Sequence, residues 1–266
     1  MKRILRNLIF AIVYIGTFVV AACSDDDNHI QIEKDLNGEY KSEIQLIVTE
    51  IGSDGSETQI GKYTVPQNFI VSQSEEGGDY LDLTIKDIRF NDQNWGDLAL
   101  KHLKVGFYAG LYTIVTETDQ NLQINGLGEC SVNLIGSGNT RAVSNVLYIN
   151  TGNQRFELII TGTKLFGSES SDGVISTFKF DENYDKVNAV VTQQPQISGN
   201  NIVFHVASGS NITGLKPTVT TSPEETTKLY PASNSAVDFT NPVTYIVVAE
   251  DGTRIEYTVT AVIDEE

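Results

Sequence analysis

The sequence predicts an all-β protein built as two successive blocks of strands, and three observations carry that expectation. Apolar and polar residues alternate with a period of two along much of the chain. Turn-forming stretches recur at hairpin spacing, with no long segment repeating at the helical period. A small, polar run from Gly167 to Gly173 separates the two groups of strands, and the 244 residues after position 22 are enough for two domains of ordinary size.

The chain opens with Lys2, Arg3 and Arg6, then an apolar stretch from Leu8 to Val20 interrupted by Gly16 and Thr17, then small residues. That is the layout of an export signal, and it is shorter than the about 20 apolar residues that span a bilayer. Residues 1–22 are therefore expected to be a removable signal peptide. The four residues Val20-Ala21-Ala22-Cys23 resemble a bacterial lipobox. The resemblance implies acylation of Cys23, and two or more chains give the stable anchoring that one chain does not. Ser24, Asp25, Asp26 and Asp27 follow. They resemble the surface-export signal of Bacteroidetes lipoproteins, which implies the outer face of the outer membrane. Residues 23–34 are expected to be an acidic, solvated tether.

Residues 35–166 read as the first block. Ile44, Leu46 and Val48 alternate with Gln45, Ile47 and Thr49, and the turn from Gly52 to Ser56 returns the chain toward Tyr63 and Val65. Further strands are predicted at 69–71, 80–90, 98–105, 111–117, 122–126, 131–134, 143–150 and 156–161. So many short strands at hairpin spacing point to an antiparallel sandwich or barrel, and closure hides sheet edges. The opening from Leu36 to Lys41, the long strand from Asp82 to Phe90, and the restart from Gly96 to Leu100 resemble the calycin-like β-barrel domain of Bacteroidetes lipoproteins, related in shape to lipocalins. Lipocalins proper carry Gly-x-Trp at the first strand, and Tyr40 stands at that tryptophan position.

Residues 174–266 read as the second block, after a linker at 167–173. Strands are predicted around Ile175–Phe180, Val187–Val191, Ile197, Ile202–Val206, Thr213–Leu215 and Pro217–Thr220. A hairpin follows, in which Val243, Tyr245, Val247 and Ala249 face Ile255, Tyr257, Val259 and Ala261 across Glu250-Asp251-Gly252-Thr253. About seven short strands in this length suggest an immunoglobulin-like β-sandwich. The run from Asp238 to Thr260 resembles the repeated Tyr-x-Val-x-Ala-Glu-Asp-Gly module of Bacteroidetes surface proteins. The resemblance implies a spacer or interaction module and brings no catalytic residue with it.

The formal charge is −17, and loss of three basic residues with the signal leaves 15 Lys and Arg against 35 Asp and Glu. Nucleic acid and anionic surfaces would repel such a chain. With Cys23 acylated, Cys130 has no disulfide partner and reads as a buried small hydrophobe. His29, His102 and His205 fall in the tether, the first block and the second block, without zinc-ligand spacing. Oxygen-rich turns at Asp181–Asp185 and around Asp251 lack the twelve-residue calcium-loop pattern. Gly136-Ser137-Gly138 lacks the flanks of a nucleophile elbow, and no phosphate or dinucleotide fingerprint occurs. A non-enzyme without cofactor or metal is expected.

Aromatic residues are the candidates for outside contact. Trp95 lies in the polar stretch 91–97, either as an exposed ring for a sugar or a partner, or as a plug at one end of the barrel. Tyr108 and Tyr112 flank Ala109-Gly110 at a turn, and Tyr230 sits before Pro231 at the tip of the second block. Three roles follow: a surface binding or adhesion lipoprotein contacting a glycan or protein, a lipocalin-like carrier of a small apolar ligand, or an inhibitor of a secreted hydrolase. Bulky inward residues at 44, 46, 48, 83, 85, 158 and 160 favour a filled interior over a ligand cavity.

Overall fold

A computed structural model describes residues 31–90, 93–180 and 190–265. The expected signal segment, Cys23, His29, most of the tether and the 181–185 turn lie outside the described residues.

The period-two pattern becomes strand where the sequence predicts it. β1 (Gly38–Ile51) buries Tyr40, Ser42, Ile44, Leu46 and Val48 and turns the residues between them outward. It is followed by β2 (Glu57–Pro66), β3 (Phe69–Gln73), β4 (Tyr80–Phe90), β5 (Gln93–Tyr108), β6 (Leu111–Val115), β7 (Gln120–Ile124), β8 (Gly128–Gly138), β9 (Ala142–Asn150) and β10 (Gln154–Lys164). These strands form one sheet in the order β10-β9-β8-β6-β5-β4-β3-β1-β2, with β7 paired to β8. β1 also pairs with β10 from Tyr40 to Glu50, so eight strands follow one another in a ring of antiparallel ladders. Ile44, Leu83, Ile85, Leu158 and Ile160 are completely buried inside it.

Tyr40 stacks on Phe69 with ring centroids 5.0 Å apart and donates its hydroxyl to the Leu36 carbonyl at 2.7 Å. Burial pushes its pKa up to about 12, so the phenol stays neutral and keeps that bond. A one-turn helix, α1 (Ile32–Asp35), precedes β1, and Ile32 is buried in the same core. Ile32 therefore packs on the ring, while Glu33 and Lys34 stay exposed. Burying an isoleucine side chain contributes about 1.5–3 kcal/mol, enough to draw this segment onto the sheet.

The second block comprises β11 (Val174–Lys179), β12 (Val191–Ser198), β13 (Asn201–Val206), β14 (Thr218–Ser222), β15 (Lys228–Tyr230), β16 (Val243–Val248) and β17 (Arg254–Ile263). β11 pairs with β14, and a five-stranded sheet runs β12-β13-β17-β16-β15, with β13 and β17 parallel. Phe178, Phe180, Phe204, Phe239 and Tyr245 form its centre, mostly edge to face, as with Phe204 and Phe239 at 5.3 Å. This core is separate from that of the ring. The predicted strand at Thr213–Leu215 is absent; Leu215 makes only an isolated bridge to Val237, because Gly214 interrupts the pattern. At one margin of the larger sheet, β12 loses register with β13 on both sides of Gln193 and carries Pro195, which has no N–H to donate.

Candidate functional site

The four candidate aromatics have different surroundings. Trp95 is not in a loop, because β5 begins at Gln93. It is 4% exposed, set edge-on to Phe90 at 5.0 Å and to Phe156 at 5.2 Å, so the indole presents no open face to a ligand. Tyr112 is 6% exposed, packs on Phe107 and donates its hydroxyl to Asp35. Burial and then the Asp35 carboxylate push its pKa up to about 12. Tyr230 is half-buried and donates to Glu43 of the ring. Burial, with Glu43 second, pushes its pKa up. Tyr108 alone of the four is open, at 81% exposure. It ends β5 at a two-residue turn whose central residues, Ala109 and Gly110, both have positive φ of 51° and 81°, the geometry of a tight hairpin.

The remaining chemistry-bearing groups have structural partners. Cys130 is buried and its thiol is pushed up by that burial. His102 contacts Glu76 at 2.7 Å and Ser74 at 3.3 Å, and His205 contacts Asp264 at 2.8 Å. Asp251 accepts the Thr253 amide at 2.8 Å and the Thr253 hydroxyl at 2.9 Å, which commits its carboxylate to its own turn.

A second feature joins the two blocks and was not visible as a local sequence pattern. Lys41 of β1 donates to the carbonyls of Ala249 and Glu250 at 2.6 and 3.0 Å. Burial, and then Lys228, pulls the Lys41 pKa down, while Glu250 and Asp251 oppose that shift. Asn68, in the β2–β3 turn, donates to the Asp251 carbonyl at 3.0 Å, and Arg254 donates to Gln67 at 3.0 Å. The joint is tight: a Cβ on Gly252 would lie 2.1 Å from the Asn68 amide oxygen, and Gly252 has φ +85°. The linker folds back on the same place, since Asp251 donates its amide to Ser170 and Ser170 donates to Glu250.

Between these contacts lies an open cleft of about 690 Å³. Its walls carry Glu39, Gln67, Asn68 and Leu165 from the first block, Gly167 and Glu169 from the linker, and Asp251, Gly252, Thr253 and Arg254 from the second block. Glu169 accepts the amides of Phe166 and Gly167, at 2.8 Å for the latter, and these bonds hold its carboxyl below the usual range. Phe166, between two lining residues, is 68% exposed.

Comparison with known proteins adds one family. Residues 175–261 match the family described as SGBP, N-terminal, from the surface glycan-binding proteins of Bacteroidetes, and this span is about a third of the chain. It includes the hairpin of β16 and β17 on which the module resemblance rests. Curated proteins give no match. One similar solved structure is a Bacteroides thetaiotaomicron protein provisionally described as a glycoside hydrolase, 28% identical over 38% of this chain and 28% of that chain, with a TM-score of 0.31. Another is a Bacteroides fragilis protein provisionally described as an outer membrane protein, 17% identical over 49% of this chain and 51% of that chain, with a TM-score of 0.35. This chain spans less than two thirds of either. The family match supports a Bacteroidetes surface protein.

Proposed function

We propose that this protein is a non-catalytic lipoprotein that binds a glycan, anchored through Cys23 and facing the cell exterior. The observation that carries the reading is the match of residues 175–261 to the surface glycan-binding family. The lipobox at Val20–Cys23 and the acidic residues behind it support the anchor and its orientation. We read the ring of eight strands as the calycin-like barrel over residues 35–166, and residues 174–266 as the immunoglobulin-like domain. The bulk of the inward side chains favours binding on the outside over carriage of an apolar ligand within. Tyr108 offers one open ring for such contact.

The test pairs localisation with activity. Cells fed an alkyne-tagged fatty acid should label the wild-type protein and not Cys23→Ser, and external protease should digest the wild type on intact cells. The purified protein should retard or be retarded by a polysaccharide in affinity electrophoresis without releasing reducing ends. Equal labelling of both proteins, protection from protease, or steady release of sugar would each overturn the corresponding part of the proposal.

A further inference from the structure

We infer that the cleft between the two blocks is a glycan subsite selective for uncharged sugars, an assignment that rests on the glycan-binding reading above. The cleft is assembled from both blocks and the linker, and its walls are fixed before any ligand arrives. Lys41, Asn68 and Arg254 each bridge from one block to the other at 2.6–3.0 Å. Such preorganisation lowers the ordering cost of binding.

Its chemistry suits a polyol. Each sugar hydroxyl is both donor and acceptor. Asn68 and Thr253 are spent on the joint and its turn, so acceptance falls to the carboxylates of Glu39 and Glu169 and donation to the N–H groups that Arg254 keeps beyond its bonds to Gln67 and Glu256. Glu39 engages Asn68 through Oε1 at 2.9 Å, which leaves Oε2 to accept from a ligand. Phe166 does not itself line the cleft, but it is exposed, stands between the lining residues Leu165 and Gly167 and gives its amide to Glu169, so its ring is the apolar surface nearest in sequence to which a pyranose could turn its C–H face.

Charge sets the class. Three carboxylates line the cleft, at Glu39, Glu169 and Asp251, against the single guanidinium of Arg254, within a chain of formal charge −17. Uronic-acid and sulfated glycans would meet like charge from the wall and from the whole molecule. Neutral glycans would not.

The experiment titrates the full mature protein, purified in detergent with its anchor, with a neutral panel (xyloglucan, galactomannan, β-glucan) and an anionic panel (polygalacturonate, chondroitin sulfate). Wild type is compared with Phe166→Ala, Thr253→Trp and Tyr108→Ala, with melting curves confirming that each variant folds. The expected result is binding to a neutral glycan only, weakened about tenfold or more by Phe166→Ala and by Thr253→Trp, and by more than any loss in Tyr108→Ala, whose open ring lies outside the cleft lining. Neutral-glycan binding that survives both cleft variants, or that falls only in Tyr108→Ala, overturns the cleft and leaves the glycan-binding reading standing. Preference for the anionic panel overturns the selectivity. Absence of binding to every glycan removes the broader reading and the cleft with it.

Discussion

Trp95 and Tyr108 sit on the same strand and have opposite situations, which makes them separable by measurement. Trp95 is wedged between Phe90 and Phe156. Replacing it with alanine removes a large buried ring and leaves a void, so urea unfolding should show a loss of about 3–5 kcal/mol. Tyr108→Ala removes an open ring and should change stability by no more than about 0.5 kcal/mol. The sequence around Trp95 reads as loop because Asn91, Asp92, Asn94 and Asp97 are polar. The indole's burial comes from a distant residue, Phe156 of β10, which no local pattern announces. Tyr112 was equally ambiguous beside its turn, and its partner Asp35 lies in α1.

At the scale of elements, alternation served well where one strand face is buried. β4 spans Tyr80–Phe90, the stretch that its sequence predicts, and β1 buries the series at 44, 46 and 48. The pattern was weaker for short or irregular pieces: β15 has three residues, too few to show a period, and the 213–215 stretch forms no strand. The outer face of β10 carries a further consequence. Burial raises the Glu157 pKa, with Arg155 opposing the shift. A carboxyl whose pKa is higher folded than unfolded retains its proton longer in the fold. Its contribution is therefore full below the unfolded value of about 4.3 and is lost as pH rises through the folded value. Glu157→Gln removes that ionisation, so the variant should melt above wild type at pH 7, with the gap closing as the pH approaches 4. A gap of constant size across that range would show that the charge is not the cause.

For the whole molecule, the joint is what couples one core to the other. Lys41, Asn68 and Arg254 tie the ring to the β16–β17 hairpin, and the missing side chain of Gly252 leaves room for Asn68 to approach. Gly252→Ala combines a positive φ with a clash against Asn68, a strain of about 1–3 kcal/mol at the contact. Calorimetry should then show two separated transitions where the wild type shows one. A single unchanged transition would mean that the two cores unfold together for another reason. None of this was readable from the sequence, because Glu39, Asn68, Glu169 and Arg254 lie far apart in the chain and acquire a shared surface only through the fold. The interrupted ladder of β12, with Pro195 in it, bears on molecules beyond this one. Copies anchored as proposed through Cys23 would be crowded enough for such margins to come together. A broken row of backbone donors gives a neighbour no continuous seam to zip onto, so a crowded layer can stay fluid instead of setting into fibres.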